Sequence, residues 1–151
     1  HGVLTETEIR SRYEIQLDSY AKLIDVEAKT MARMARREIL PASIGYSDEL
    51  ANGLSAKAAI GIDIAKTADK RLIDKLIALN DKLLKATGKL EKDIKTSSSM
   101  KDALTLARYH RDAMIPDMDK LRAIADELET LVDKTYWPFP TYTEILSSVM
   151  Y

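Results

Sequence analysis

Three arginines, Arg33, Arg36 and Arg37, crowd into five positions with Glu38 beside them. Arg33 and Arg37 stand four apart, a spacing that on a helix lets two guanidiniums grip one phosphate or an acidic partner surface. The plainer reading is a surface patch whose positive charge complements a helix C-terminus. Arg111 is different, because it occupies a seam position between Ala107 and Met114. A guanidinium there is costly unless it reaches water or a partner. It either snorkels, pairs with a carboxylate such as Asp18 or Asp25 on a facing helix, or marks a place where the helices open. Trp137 and Phe139 alternate with Pro138 and Pro140, and Tyr142 follows; five of the nine aromatic residues fall in the last 16 positions. Prolines stiffen the backbone, so these rings lose little entropy on docking and suit an anchor, within the chain or between subunits.

Catalytic groupings are harder to find. The only histidines are His1 and His110, so a histidine-based metal site needs carboxylate help. His110, beside Tyr109 and Arg111, reads as a half-buried interfacial residue. Asp117 with Asp119 and Glu127 with Glu129 are two apart and do not share a helix face, so both pairs read as solvated. There is no Glu-x-x-His, no glycine-rich phosphate loop, no G-x-S-x-G, no H-E-x-x-H and no EF-hand loop. No catalytic, cofactor-binding or metal residue is therefore assigned. Arg33, Arg36, Arg37, Arg111, Trp137, Phe139 and Tyr142 are candidates for an interface or an anchor.

The elements that would position these residues are helices. No Gly or Pro lies between Gly2 and Pro41, and good helix formers fill that window. Thr5 and Glu8 have capping-box spacing, with Leu4 and Ile9 placed as a hydrophobic staple. Ile9, Tyr13, Leu17, Tyr20, Ile24, Ala28, Met31, Ala35 and Ile39 then recur every three or four residues, one stripe on a helix about 50 Å long. Pro41 kinks or ends it at Leu40. Gly45, Gly53 and Gly61 weaken the next stretch, which reads as a helix over about 46–59 and a break near Gly61. Leu72, Leu76, Leu79, Leu83, Ala86 and Leu90 form a heptad seam. Ser99 and Asp102 have cap spacing for the next helix, which carries Leu104, Ala107, Met114, Met118, Leu121, Ala125, Leu128 and Val132. Pro116 interrupts that helix without breaking the phase of the stripe, so a kink is expected and not a reversal. Tyr136–Pro140 reads as extended, with Thr141 and Glu144 capping a final short helix.

The expectation is an all-α fold: an elongated antiparallel bundle of three long, partly kinked helices, with shorter pieces and an extended aromatic tail. Helices are placed at about 5–40, 46–59, 66–95, 99–134 and 141–147, in one domain spanning 1–151. The 151 residues carry 23 basic and 24 acidic side chains and a net charge of −1, against a dedicated nucleic-acid binder or a polybasic membrane anchor. No apolar run approaches the roughly 18–20 residues of a membrane span, and no signal peptide is visible. The lack of Cys removes disulfides and thiolate sites and suits a reducing compartment. The chain begins His1-Gly2 without an initiator Met, which reads as a piece of a longer protein.

Specific strings then resemble a known family. His1-Gly2-Val3-Leu4-Thr5-Glu6, Ser11-Arg12-Tyr13-Glu14 and Met34-Ala35-Arg36-Arg37-Glu38-Ile39-Leu40-Pro41-Ala42 look like the start of the C-terminal helical region of type III glutamine synthetases. Tyr109-His110-Arg111-Asp112, Ile115-Pro116-Asp117-Met118 and Leu121-Arg122 are similar to that region's last long helix. Tyr136-Trp137-Pro138-Phe139-Pro140-Thr141-Tyr142 with Glu144-Ile145-Leu146 resembles its closing motif, while about 45–100 matches only in helical character. The resemblance implies a cytoplasmic, bacterial-type parent enzyme that joins ammonia to glutamate with ATP and Mg or Mn, and that forms a homo-oligomer. It places the nucleotide, metal and glutamate contacts upstream, so no catalytic residue is carried over. The implied role is a non-catalytic end that packs on the parent's catalytic domain, shapes the oligomer or receives a regulator. The alternative is a stand-alone helical sensor or adaptor that binds a ligand or a partner helix.

Overall fold

Thr5 opens the first helix with the expected capping box. Its hydroxyl accepts the Glu8 amide at 3.2 Å and its own amide donates to the Glu8 carboxylate at 3.1 Å, which satisfies orphan donors of the first turn. The computed structural model describes residues 5–140. Leu4 of the staple, Tyr142 and the helix expected at 141–147 lie outside the described residues. From the cap the chain runs as α1 (Glu6–Met34).

Of the two outcomes expected at Pro41, a kink or an end, the helix does not end. The backbone widens into a π-turn over Ala35–Ile39, where the Leu40 amide donates to the Ala35 carbonyl five residues back, and continues as α2 (Leu40–Ala59). A proline inside an α-helix lacks a donor and presses on the carbonyl four residues earlier. The extra residue of a π-turn relieves that clash and restarts the α register, with Pro41 in the first turn where a donor is dispensable. The helix expected to begin near residue 46 is thus the direct continuation of the first. It stops at Gly61, whose φ of +90° suits a residue without a Cβ.

The chain then forms α3 (Ala68–Ser98), capped by Thr67, whose hydroxyl accepts the Lys70 amide at 3.2 Å. Ser99 closes this helix and does not open the next; Asp102 does that, accepting the Thr105 amide at 2.9 Å. After α4 (Ala103–Tyr109) the same device recurs, a π-turn at His110–Met114 and then α5 (Ile115–Leu131) with Pro116 in its first turn. Pro116 therefore causes no reversal. Among the described residues every regular element is helical, and no helix is long and apolar enough to cross a membrane.

The leucine seam puts α3 at the centre. Leu76, Leu83 and Leu90 are fully buried and Leu79 nearly so, against Ile24, Ala28 and Ala32 of α1 and Met118, Leu121 and Leu128 of α5. Each such side chain contributes about 2 kcal/mol by leaving water, and the alanines of α1 let the backbones approach. Polar pairs set the registers. Against α3, Lys57 meets Asp69, Ser43 meets Asn80 and Arg36 meets Glu91. On its other side Lys75 meets Glu127, Lys89 meets Asp117 and Asp93 meets Tyr109. In both series the numbers rise along α3 as they fall along the partner.

One half of the first stripe departs from expectation. Ile24, Ala28, Ala35 and Ile39 are buried, but Ile9, Tyr13 and Tyr20 are at least half exposed. Asp18, Ala21 and Asp25 line a small cavity together with Ser97, Ser98, Met100 and Leu106, whereas every residue from Thr5 to Gln16 is exposed.

Candidate interaction surface

The aromatic segment is fixed by the end of α5. Val132 takes an extended conformation, and the Tyr136 and Trp137 amides then both donate to the Asp133 carbonyl, at 2.9 and 3.1 Å. Residues 133–137 thus form a turn, which runs into the start of the 136–140 segment expected to be extended. It packs the Tyr136 ring 5.5 Å from Tyr46 and against the bare backbone of Gly45, where a Cβ would lie 3.5 Å from the Tyr136 ring. Trp137 and Phe139 meet edge to face at 6.2 Å. Both are partly buried against the core.

These two rings help to line an apolar groove formed with residues of α1, the Ala35–Ile39 turn and α5. Met31, Met34, Ile39 and Leu121 line its floor, Glu27, Arg122, Asp126 and Glu129 stand at its rim, and its volume is about 490 Å³. Packing of this size and character suits an apolar side chain or short segment, held by shape and oriented by the rim charges.

The arginine candidates do not converge there. Arg36 leaves the cluster and binds Glu91 of α3 with two nitrogens, Nε at 3.0 and 3.2 Å from the two carboxylate oxygens. This pairing holds the Arg36 guanidinium above its ordinary range, the hydrogen bond being the larger cause. Arg33 and Arg37 are exposed and form no ion pair among the described residues. The wide π-turn between them upsets the i,i+4 alignment that a joint grip requires.

Arg111 is not in the seam. It lies in solvent and pairs with the adjacent Asp112 at 2.8 Å, not with Asp18 or Asp25. His110 takes the inward position, 1% exposed, and is fully buried where half-burial was expected. His110 lies three residues after Ala107 and four before Met114, and Arg111 four after and three before, so helical spacing admits either and packing selects His110. Neither ring nitrogen of His110 has a hydrogen-bond partner among the described residues. Burial lowers its pKa, and the Asp25 carboxylate opposes this only in part. A small cavity beside it is lined by Asp18, Lys22, Asp25 and Lys29 of α1.

The expectation of a solvated Asp117 also fails. Its side chain is 13% exposed, and Lys89 Nζ sits between it, at 2.9 Å, and the fully buried Asp93, at 3.0 Å. Tyr109 donates its hydroxyl to Asp93 at 2.9 Å. Burial raises the Asp93 pKa and the neighbouring Asp117 raises it further. Asp117 moves the opposite way, lowered chiefly by the neighbouring Asp93 carboxyl and then by Lys89. One carboxyl thus holds a proton more firmly than usual while the other stays ionised, as close pairs do. Sequence spacing hid this cluster, because Lys89, Asp93, Tyr109 and Asp117 come from three helices; only the i,i+4 step from Lys89 to Asp93 was available as a signal. Among the described residues no three His, Asp or Glu side chains gather as a metal site would require.

The sequence profile of the glutamine synthetase C-terminal domain matches residues 1–58. Nearly the whole chain is similar to a glutamine synthetase of Butyrivibrio fibrisolvens, 34% identical over 157 aligned positions that cover 99% of this chain and 21% of the relative. A type-3 glutamine synthetase of Dictyostelium discoideum is 27% identical over 96% of the chain and 20% of its own length. A glutamine synthetase of Bacteroides fragilis is 24% identical over 95% and 20%. The chain spans about a fifth of the length of these relatives.

Proposed function

Because the chain belongs to the glutamine synthetase C-terminal domain family, we propose that it is the non-catalytic helical end of a type III enzyme. The observation that carries this reading is the asymmetry of coverage: similarity extends over 99% of this chain yet only 21% of the relative's length. The parent joins ammonia to glutamate with ATP and Mg or Mn, in the cytoplasm and as a homo-oligomer. Its catalytic domain is the partner on which this bundle packs. The described residues offer neither a glycine-rich phosphate loop nor a gathered carboxylate–histidine donor set for those groups, so no step of the ligase reaction is assigned to them.

The role that fits is mechanical. The register pairs along both sides of α3 support an antiparallel three-helix bundle, and the Trp137–Phe139 corner against the α1–α5 groove supports an aromatic anchor that shapes the assembly. A free-standing sensor is not favoured, since it leaves similarity along nearly the entire chain without a reason.

The test uses the full-length polypeptide. It is expected to form glutamine from glutamate and ammonia only with ATP and a divalent cation. Removal of 136–151 is expected to change the size of its assembly. A full-length protein without ligase turnover would sink the family activity. Unchanged assembly, stability and turnover after the truncation would sink the anchoring role.

A further inference from the structure

The first turns of α1 carry a burial signal that the other described residues leave unanswered. Ile9, Tyr13 and Tyr20 stand on the stripe that continues through the buried Ile24 and Ala28, yet they are 55%, 54% and 50% exposed. Leu17, on the same side, is only half-buried, and Leu23 beside them is exposed as well. Every residue from Thr5 to Gln16 is exposed, so about three turns of helix, roughly 18 Å, project without cover from the other described residues. An unsupported helix of that length is marginal in water. This one is capped at Thr5 by both arms of a capping box and has Tyr and Ile on one line, the composition of an interface.

We propose that this arm docks against the upstream part of its own polypeptide, with Ile9, Tyr13, Leu17 and Tyr20 as the contact line. The inference rests on the reading of the chain as a C-terminal domain. The relatives are about five times this length and the matching family profile is that of a C-terminal domain, so on this reading the remaining polypeptide precedes α1, at the arm's free end. A tethered surface meets the stripe at millimolar effective concentration, far above that of a second copy. Charge points the same way. The arm carries Glu6, Glu8, Glu14 and Asp18 against Arg10, Arg12 and Lys22, a mixture without the one-signed field that selects a nucleic acid or an anionic lipid surface.

The experiment places a benzoylphenylalanine photocrosslinker at Tyr13 of the full-length protein, with a matched probe at Ser11 on the opposite helix face. Illumination is expected to link position 13 to an upstream peptide at monomer mass, with roughly tenfold higher yield than position 11. A product of dimer mass, equal yields at the two positions, or no product at 13 would each overturn the proposal. Ligase turnover is measured on the same sample. Its absence alongside the expected cross-link discards the enzyme reading and leaves the docking intact.

Discussion

Lys89 Nζ lies 2.9 Å from Asp117 Oδ2, joining the middle of α3 to the first turn of α5. The same ammonium reaches Asp93 at 3.0 Å, so it stands between two carboxyls that otherwise face each other in a largely buried setting. Both hydrogen bonds raise the Lys89 pKa, that with Asp117 the more. Replacing Lys89 by Met keeps the aliphatic stem and removes the bridge. Because the lysine head is itself half exposed, water screens part of the effect, and Lys89→Met is expected to destabilise by about 2 kcal/mol. Adding Asp93→Asn is expected to recover much of that. Urea unfolding of the three variants checks it; additive losses would contradict the bridging role.

His110 predicts an acid-sensitive limb of stability. Its folded pKa lies below the ordinary value because burial disfavours the imidazolium. Between that folded pKa and about 6.5 the unfolded chain binds a proton that the folded chain does not. Stability is therefore full above about 6.5 and falls as pH drops toward the folded pKa. His110→Leu is expected to flatten this limb, leaving only the carboxylates to act at lower pH. Denaturation midpoints measured between pH 5 and pH 8 decide it, and an unchanged slope in the variant would count against His110.

Ser43 and Asn80 form the buried hydrogen bond between α2 and α3, the serine hydroxyl donating to the Asn80 carbonyl. Ser43→Ala strands an amide in the interior and is expected to cost about 1–2 kcal/mol. Asn80→Leu in the same background removes the stranded group, fills the site and is expected to restore most of the loss. A double-mutant cycle by chemical denaturation measures the coupling.

Trp137 is the only tryptophan in the chain, so fluorescence reads the docking of the aromatic corner directly. Its contacts with Phe139 and the α1–α5 groove tie it to the core. Its emission is expected to shift in one step with the loss of helical circular dichroism. Trp137→Ala is expected to cost about 3 kcal/mol, somewhat less than for a fully buried ring. Fluorescence that changes well before the helices melt would show the corner to be detached from the bundle.

Much of the fold was legible from local chemistry. The Thr5–Glu8 capping box, the leucine seam of α3 and the break at Gly61 each follow from spacing within a few residues, and each stands in the structure. Pro41 and Pro116 were legible as disturbances, but not their resolution. A proline reports a lost donor and a steric clash; whether the backbone answers with a kink, a stop or a π-turn depends on what the two flanking segments gain by continuing. Here continuation lets Ser43 and Leu54 of α2 pack inward. Arg111 and His110 exchanged places for another reason: both stand at three-or-four spacing from Ala107 and Met114, and only packing decides which one turns inward.

The candidate surface was legible only in part. Trp137 and Phe139 announced themselves by composition, and they do pack on the core, whereas the arginines were grouped by nearness along the chain and dispersed in space. What the sequence by itself determined is whatever rests on interactions within about one helical turn: helical content, caps, apolar stripes and the family to which the strings belong. Tertiary structure alone decided which half of the α1 stripe is covered, which residue of His110–Arg111 turns inward, and that Lys89, Asp93, Tyr109 and Asp117 meet. Those outcomes depend on where helices distant in sequence come to lie, and the free energy of burial acts on that arrangement and not on spacing.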